Sequence, residues 1–448
     1  MYRTVEAYIL NEAWEKLSKK VQEQAIKCMI DLIGAVSVGY KTSSSLRMTN
    51  SAKRLFSGDE ATLLVTGEKS SITGAALANG MVANALDIDD GYSMLKGHPG
   101  CGIFSGLLAA GEYKKISYKE FLTALIVAYE TSIRHGLALH DFYNYYHGSG
   151  SWAAFGMAAG MARILEMPEE QIREALGIAD FNAPLTPVMR SVETPAMGKD
   201  GVYGGSLIGA AAVIMAQEGT TARRYILHEE KYAEYIHSLG EDYKFLDLYF
   251  KFFTCCRWAH GPICGSIELM KKNQIDYRDI SNVNVLTFKA AEALYKGKPT
   301  DTEEAQYNVA YPIAAAIVYG EVGPAQVLDD KIVDPKILDM MDKMKFIIDD
   351  AFEKAFPAKR LCEVEIILKD GSVYKSGLCQ PIGEPKDNIS IDDIIVKFNK
   401  LTESVYSESS QEKLLDILKN PDTDVRMDEI IQMMIHFRKP EEKEIIIH

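Results

Sequence analysis

The sequence predicts a mainly α-helical protein with a second, smaller α+β domain. Three observations predict this fold class. Apolar residues recur at helical spacing through most of the first 250 residues, strand-like alternation is confined to the region after residue 280, and helical spacing returns after Pro385. We therefore expect a large all-helical domain built from both chain ends, residues 1–254 and 389–448, with a smaller α+β domain at residues 255–388.

The helices of the first part carry recognisable start signals. From Val21, the segment VQEQAIKCMIDLIGAVSVG places its apolar residues on one helical face. Ser117, with Glu120 three residues later, predicts a capping box, and Pro168 opens another helix. Three further helices are rich in Gly and Ala, and we expect close packing around them because interior Gly otherwise weakens a helix. They lie at 73–86, 150–162 and 204–219.

Strand patterns mark the smaller domain. The segment SNVNVLTF has strand composition, and CEVEIILKDGSVYKSG predicts a hairpin that turns at residues 369–372. Between them, YPIAAAIVYGEV and PKILDMMDKMKFIIDDAF predict helices. After Pro385, SIDDIIVKFNKL and QEKLLDILKN return to helix.

Composition limits the partners and the compartment. The 448 residues carry a net charge of −14, so neither nucleic acid nor an anionic membrane is an expected partner. No stretch approaches 18 uninterrupted apolar residues, and the first 20 residues do not resemble a signal peptide. Seven sparse cysteines fit a reduced setting better than a disulfide framework, so we expect a cytoplasmic protein.

The segment DIDDGYSMLKGHPGCG, residues 87–102, is the first candidate site. Asp87, Asp89 and Asp90 follow the C-terminus of a predicted helix, where the helix dipole disfavours carboxylates. His98 lies on a Gly-bracketed loop just before the next helix, where anions bind readily. The pattern leaves three interpretations open: a solvated acidic turn, a metal site, and an acid/base pair.

Two other histidines share this predicted context. His147 and His260 are each followed by glycine and by the start of a predicted helix, and histidine is the natural acid or base near neutral pH. Lys199 and Arg257 supply local positive charge. An iron–sulfur or zinc site at the neighbouring cysteines is disfavoured because the chain has no CxxC, and GVYGGSLIG lacks nucleotide-binding spacing.

Together, these segments resemble the MmgE/PrpD family, which includes 2-methylcitrate dehydratase, cis-aconitate decarboxylase and iminodisuccinate epimerase. The similarity runs nearly end to end, through seven segments in the same order. They are MIDLIGAVSVG, NALDIDDGYSMLKGHPG, YHGSGSWAAFGMAAGMARILEM, KDGVYGGSLIGAAAVIMAQEG, CCRWAHGPICGSIEL, YNVAYPIAAAIVYGEV and the closing VEIILKDGSVYKSG block.

The resemblance implies a fold, a site and a chemistry. It implies that the α+β domain is a lid over the helical domain, that the protein is a homodimer, and that the site lies between the domains without a metal or other cofactor. The catalytic residues it implies are Asp87, His98, His147, His260 and Tyr311. The implied binding residues for a small polycarboxylate substrate are Lys199, Arg257 and Asp90.

The family's reactions move a proton next to a carboxylate, and dehydration of the 2-methylcitrate type is the first expectation, ahead of epimerisation and decarboxylation. The chain departs from the family pattern at Gly91 and Gly100, where relatives carry a hydroxyl residue, and both departures lie in the loop that the resemblance implies contacts the substrate. Two alternatives stay open: a metal-dependent enzyme that uses Asp87, Asp90 and His98, and a binding protein without catalysis.

Overall fold

A computed structural model describes residues 4–440, and it confirms a mainly helical fold with a smaller α+β part. Residues 1–3 and 441–448, which the sequence assigns to the helical domain, lie outside the described residues. The helices of the N-terminal part are α1 Val5–Asn11, α2 Lys19–Gly39, α3 Ser43–Leu55, α4 Ile72–Asn84, α5 Pro99–Lys114, α6 Tyr118–Tyr143, α7 Gly150–Ile164, α8 Glu169–Asn182, α9 Met189–Glu193 and α10 Val202–Gln217. Four two-residue strands accompany them: β1 Ala61–Thr62, β2 Lys69–Ser70, β3 Gly91–Tyr92 and β4 Leu248–Tyr249.

The small-residue helices are closely packed as the sequence predicts, and α10 packs against both α4 and α7. Nearly every residue of α4 and α7 is buried. A Cβ atom on Gly150 would overlap the carbonyl oxygen of Gly201, and one on Gly205 would overlap that of Gly150. Glycine is therefore required where α7 and α10 begin side by side, because any larger residue would push the two backbones apart.

The α+β part contains a four-stranded sheet. Its helices are α11 Arg257–Asn273, α12 Lys289–Glu292, α13 Thr302–Tyr307, α14 Ala310–Tyr319, α15 Pro324–Val327, α16 Pro335–Met341 and α17 Asp350–Ala355. Its strands are β5 Ile280–Thr287, β6 Met344–Ile348, β7 Cys362–Leu368 and β8 Val373–Cys379, in the sheet order β6-β5-β7-β8. The predicted hairpin is confirmed: β7 and β8 are antiparallel, and Leu368 N donates to Ser372 O at 2.9 Å across the turn.

Two local predictions were wrong in part. The segment predicted as one helix, residues 335–352, contains β6, because Met344–Ile348 pairs in parallel with β5 and these long-range hydrogen bonds outweigh local helical spacing. Ser117 does cap α6, accepting from Glu120 N at 3.2 Å. The Glu120 carboxylate does not complete a capping box but accepts from Arg163 Nε at 2.7 Å instead.

The C-terminal helices return to the helical part. They are α18 Ile391–Thr402, α19 Glu408–Leu418 and α20 Met427–His436. Helix α18 packs on α2, and α20 packs on α5. The two links between the helical and α+β parts run side by side, where Phe250 N donates to Gly383 O at 3.0 Å. Among residues 4–440, no helix combines the length and apolarity that crossing a bilayer requires.

Candidate active site

A cavity of about 440 Å³ lies where the helical part meets the α+β part. Asp87 and His98 line it from the helical part, and Arg257 and Trp258 line it from the first turn of α11. Its volume is within the usual range for sites that enclose small organic ligands. We therefore treat this cavity as the candidate active site.

The loop between α4 and α5 delivers His98 to the cavity. Asp87 adopts a left-handed backbone conformation just beyond α4, with φ of 52°, and turns the chain sharply. Tyr92 N then donates to Gly97 O at 2.9 Å, which closes the loop. His98 is the N-cap residue of α5, with Pro99 at the first helical position, so the predicted position of His98 at a helix start is confirmed.

Carboxylates hold both ring nitrogens of His98. Nε2 lies 3.2 Å from Asp87 Oδ1, and Nδ1 lies 3.0 Å from Asp89 Oδ2 and 2.9 Å from the carbonyl oxygen of Asp90. Burial lowers the pKa of His98, but Asp89 and Asp87 outweigh burial and raise it well above 6.5. His98 is therefore protonated at neutral pH and can act as a general acid.

Lys251 completes the charge balance around His98. Its ammonium group binds Asp87 Oδ2, and both side chains are buried. Burial raises the pKa of Asp87, but Lys251 and then His98 outweigh burial and hold that pKa far below its ordinary value. The Asp87 carboxylate thus stays ionised, and it keeps the proton on His98.

Asp90 is directed into the helical part and does not line the cavity. Its Oδ1 accepts from Gly100 N at 3.1 Å, and its Oδ2 accepts from the Tyr129 hydroxyl. Burial, followed by the nearby charge of Asp31, raises the pKa of Asp90 to about 7. The structure thus places the Asp90 side chain in support of the start of α5, away from a substrate in the cavity.

Three cations line the cavity. Arg257 Nη2 binds Glu384 Oε1 at 2.8 Å, and Arg360 Nη1 lies 3.9 Å from the same oxygen. Arg257 also lies over the ring of Tyr249, with Cζ 4.3 Å from the ring centroid. Lys96, from the loop that carries His98, is the third, and burial lowers its pKa to about 8. These groups supply the positive charge that a carboxylate ligand needs.

The side chains of Lys199 and His147 contact other protein groups and do not line the cavity. Lys199 Nζ donates to the Asn84 and Ala85 carbonyl oxygens at the end of α4, at 2.8 and 2.7 Å, and burial lowers its pKa. The ring of His147 packs against Tyr145, with centroids 4.1 Å apart, and burial lowers its pKa to about 4. Because His147 is neutral at pH 7, it lacks the charge that His98 carries.

His260 and Tyr311 are also held inside the α+β part, away from the cavity lining. His260 lies within the first turn of α11, not in a loop before a helix as predicted, since the helix starts at Arg257 and continues through Pro262. Its Nε2 lies 3.1 Å from Cys255 O, and burial, followed by Arg257, holds its pKa well below 6.5. The Tyr311 hydroxyl donates to Gln326 O at 2.6 Å.

Comparison with known proteins agrees with this architecture. The MmgE/PrpD N-terminal domain matches residues 3–246, and the MmgE/PrpD C-terminal domain matches residues 253–423. The chain belongs to the MmgE/PrpD family. The boundary between the two matches falls at the first link between the helical and α+β parts, and the C-terminal match continues past the second link through α18 and α19.

Relatives within the MmgE/PrpD family are distant but align along most of their length. A cis-aconitate decarboxylase of Aspergillus terreus is 24% identical to this chain, and the alignment spans 92% of this chain and 91% of that protein. The human cis-aconitate decarboxylase is 22% identical, and its alignment spans 90% of this chain and 88% of that protein. The mitochondrial 2-methylcitrate dehydratase of Yarrowia lipolytica is 22% identical, and its alignment spans 80% of this chain and 75% of that protein.

Several residues that line the cavity of this MmgE/PrpD protein were missed by sequence reasoning. Lys96 lies two residues before His98 in the same loop, and Asp200 directly follows Lys199. Tyr307, the last residue of α13, lines the cavity, whereas the predicted Tyr311 lies four residues later in α14. Within residues 4–440, no group of three or more His, Cys, Asp or Glu side chains is arranged to hold a metal ion.

Proposed function

We propose that this protein is a lyase that acts on a small polycarboxylate by proton transfer next to a carboxylate, with dehydration of the 2-methylcitrate type as the first candidate reaction. The observation that carries the proposal is the environment of His98. Asp87 and Asp89 hold it as a proton donor in a cavity that also presents Arg257 and Arg360. Membership of the MmgE/PrpD family supports the reaction class.

In a dehydration, a base removes the proton from the carbon next to a carboxylate. The bond to the neighbouring hydroxyl oxygen then breaks, an alkene forms, and an acid donates the proton with which the hydroxyl leaves as water. His98 is the proposed acid, and a positioned acid or base contributes roughly 10²–10⁴-fold. Asp200, which lines the same cavity and accepts from Ser149 Oγ at 3.0 Å, is the proposed base.

The cations have a separate role in this mechanism. As the proton leaves, negative charge develops on the substrate carboxylate as an enolate-like species. Arg257 and Arg360 are placed on the cavity wall to bind that carboxylate and stabilise this charge. His260, whose Nδ1 lies 3.3 Å from Arg257 Nη1, is proposed to position Arg257.

Decarboxylation is the second candidate reaction, and a specific observation favours it. Two relatives named cis-aconitate decarboxylase each cover about nine tenths of this chain. When a carboxylate leaves as CO₂, the electron pair remains on carbon and takes up a proton, so this reaction needs an acid but no base. His98 suits that role, and the assignment of Asp200 as base matters only for dehydration or epimerisation.

Proton NMR of the EDTA-treated enzyme in D₂O tests the proposal. The substrates are 2-methylcitrate, citrate, cis-aconitate and iminodisuccinate, each with and without enzyme. New alkene signals from a hydroxy acid indicate dehydration, and a product that lacks one carboxylate indicates decarboxylation. Deuterium next to a carboxylate without net conversion indicates epimerisation. Absence of any change that persists after adding divalent metal would contradict the proposal.

We also propose that the protein is a cytoplasmic homodimer. The proposal rests on family resemblance and on the sparse cysteines of the chain. Light scattering coupled to size-exclusion chromatography tests the dimer, because the chain mass is 49.8 kDa and a single peak near that value would contradict it.

A further inference from the structure

Lys96 differs from the two arginines of the cavity in its counter-charge. Arg257 and Arg360 both lie near Oε1 of Glu384, and the Oε2 atom of that carboxylate accepts from Ser93 Oγ at 3.4 Å. The Lys96 ammonium donates to the Ser93 carbonyl oxygen at 2.7 Å. Within residues 4–440, no carboxylate lies within ion-pair distance of that ammonium.

The other neighbours of the Lys96 ammonium are neutral or positive. Nζ lies 5.5 Å from the centroid of the Tyr146 ring and 3.5 Å from the carbonyl oxygen of Pro357. Burial, followed by the charge of Arg360, lowers the pKa of Lys96 to about 8, although Glu384 acts in the opposite direction. A cation that is partly removed from water without an acidic partner is unfavourable, and a ligand carboxylate would offset this cost.

The backbone does not explain a lysine at position 96. Lys96 ends a tight turn in which its N donates to Tyr92 O at 3.1 Å, and its φ is 56°. This left-handed conformation suits glycine or asparagine better than lysine, whose Cβ is crowded there. What the lysine adds is an ammonium group on the cavity wall, two residues before His98.

We propose that Lys96 is a specificity-determining residue that binds one substrate carboxylate, in addition to those bound at Arg257 and Arg360, and so selects a tricarboxylate over the dicarboxylate that lacks this group. The carboxylates are then bound from both parts of the chain, since Lys96 belongs to the helical part and the two arginines to the α+β part. The inference rests on the proposed function for the chemistry at His98, and it names the residue that recognises the additional carboxylate.

Binding of two unreactive acids tests the inference without any turnover. Propane-1,2,3-tricarboxylate and glutarate share a five-carbon chain with a carboxylate at each end, and they differ by the central carboxylate. Isothermal titration calorimetry would measure Kd for each acid. We expect the wild-type protein to bind the tricarboxylate at least about tenfold more tightly, because the additional carboxylate gains a hydrogen bond between charged groups. Equal affinities, or binding of neither acid, would overturn the inference.

A variant with a matched control ties that preference to the Lys96 ammonium. Lys96→Met keeps an unbranched side chain but removes the charge, so it should weaken tricarboxylate binding at least about tenfold and leave glutarate binding nearly unchanged. Lys413→Met, on the exposed surface of α19, should keep the full preference. A full preference for the tricarboxylate in folded Lys96→Met would overturn the inference.

The dependence of binding on pH gives a second test, which does not require Lys96→Met to fold. Lys96 is mostly charged at about pH 7 and mostly neutral at about pH 9.5, so the preference of the wild type should fall as pH rises between them. The charged and titratable groups around it are Arg360, Glu384, Tyr146 and His140. Lys96→Arg retains all of them, and its guanidinium stays charged at both pH values, so it should keep the preference. The same loss in Lys96→Arg as in the wild type would overturn the assignment to Lys96.

The lyase proposal and the assignment of Lys96 fail in different ways. If Lys96→Met loses the tricarboxylate preference while no acid is converted in the NMR experiment, the lyase proposal fails and the assignment of Lys96 stands. If a tricarboxylate is converted and Lys96→Met binds propane-1,2,3-tricarboxylate as the wild type does, the assignment fails and the lyase proposal stands.

Discussion

The helical part and the α+β part each contribute a buried histidine to the region of the cavity, and the two histidines differ in charge. His98 lies between Asp87 and Asp89, whose carboxylates raise its pKa. His260 lies beside Arg257, and burial together with that guanidinium lowers its pKa. The same type of side chain therefore favours its protonated form in the helical part and its neutral form in the α+β part, because neighbouring charges set its protonation state.

Removing His98 should have the largest effect on turnover. His98→Gln keeps a polar side chain at the start of α5 but has no transferable proton, so we expect kcat to fall at least about 10²-fold. Steady-state kinetics on the substrate identified by NMR would measure this. His237→Gln, on the exposed surface, should retain full activity. If His98→Gln retained the wild-type kcat, His98 would not be the proton donor.

Removing Lys251 should have the largest effect on stability. Lys251→Met leaves Asp87 as a buried carboxylate without its lysine partner, so we expect the free energy of unfolding to fall by about 3–5 kcal/mol. Urea unfolding would measure this. Lys244→Met breaks an exposed pair with Asp242 and should change it by less than about 1 kcal/mol. Equal losses of unfolding free energy in the two variants would mean that the buried Asp87–Lys251 pair stabilises the protein no more than an exposed pair does.

A smaller effect is expected from His260, since its proposed role is to position Arg257. His260→Gln should weaken the hold on the Arg257 guanidinium and raise KM about tenfold, while kcat changes less. Separate measurement of KM and kcat distinguishes positioning from catalysis. A loss in kcat as large as that of His98→Gln, with KM unchanged, would instead make His260 a direct participant.

The smallest change should come from Asp89, and it appears in the pH profile. His98 titrates above its ordinary pKa of 6.5, so an acid at this position is active below its raised pKa and is lost as pH rises through it. Its contribution to folding stability has the same sign, being complete below pH 6.5 and lost as pH rises through the folded pKa.

Asp89→Asn removes one of the two carboxylates that raise the pKa of His98. The alkaline limb of kcat/KM should therefore move to lower pH, by about one unit. Asp59→Asn, an exposed carboxylate, serves as the control and should leave the limb in place. An unmoved limb in Asp89→Asn would show that another group is the acid.

Local sequence signals predicted the parts of the molecule that local chemistry determines. Helical spacing and small residues predicted the close packing around α4, α7 and α10, and the glycine-bracketed His-Pro predicted His98 at a helix start. The same local logic failed at residues 344–348, where pairing with β5 decides the structure.

The long-range features of the site could not be read from the sequence. The pairing of Lys251 with Asp87 joins residues 164 positions apart, and no local pattern encodes it. Tyr307 and Tyr311 are four residues apart on two successive helices, and only the packing of the α+β part decides that Tyr307 lines the cavity while Tyr311 donates to Gln326 O. The predicted roles of His147, Lys199 and Tyr311 stay predictions, with their side chains placed away from the cavity lining.

Lys397 of α18 supports the loop of the candidate site, and it is synthesised long after the residues that it contacts. Lys397 Nζ donates to Asp31 Oδ1 at 2.5 Å and to Ile88 O at 2.7 Å, within the loop that carries Asp87 and Asp89. These contacts span 366 and 309 residues. While the chain is still being made, the helices of the first half leave the ribosome with the Asp31 carboxylate lacking this cation. The acidic loop therefore gains its contact with Lys397 only after α18 has been synthesised, so this support of the candidate active site forms late in translation.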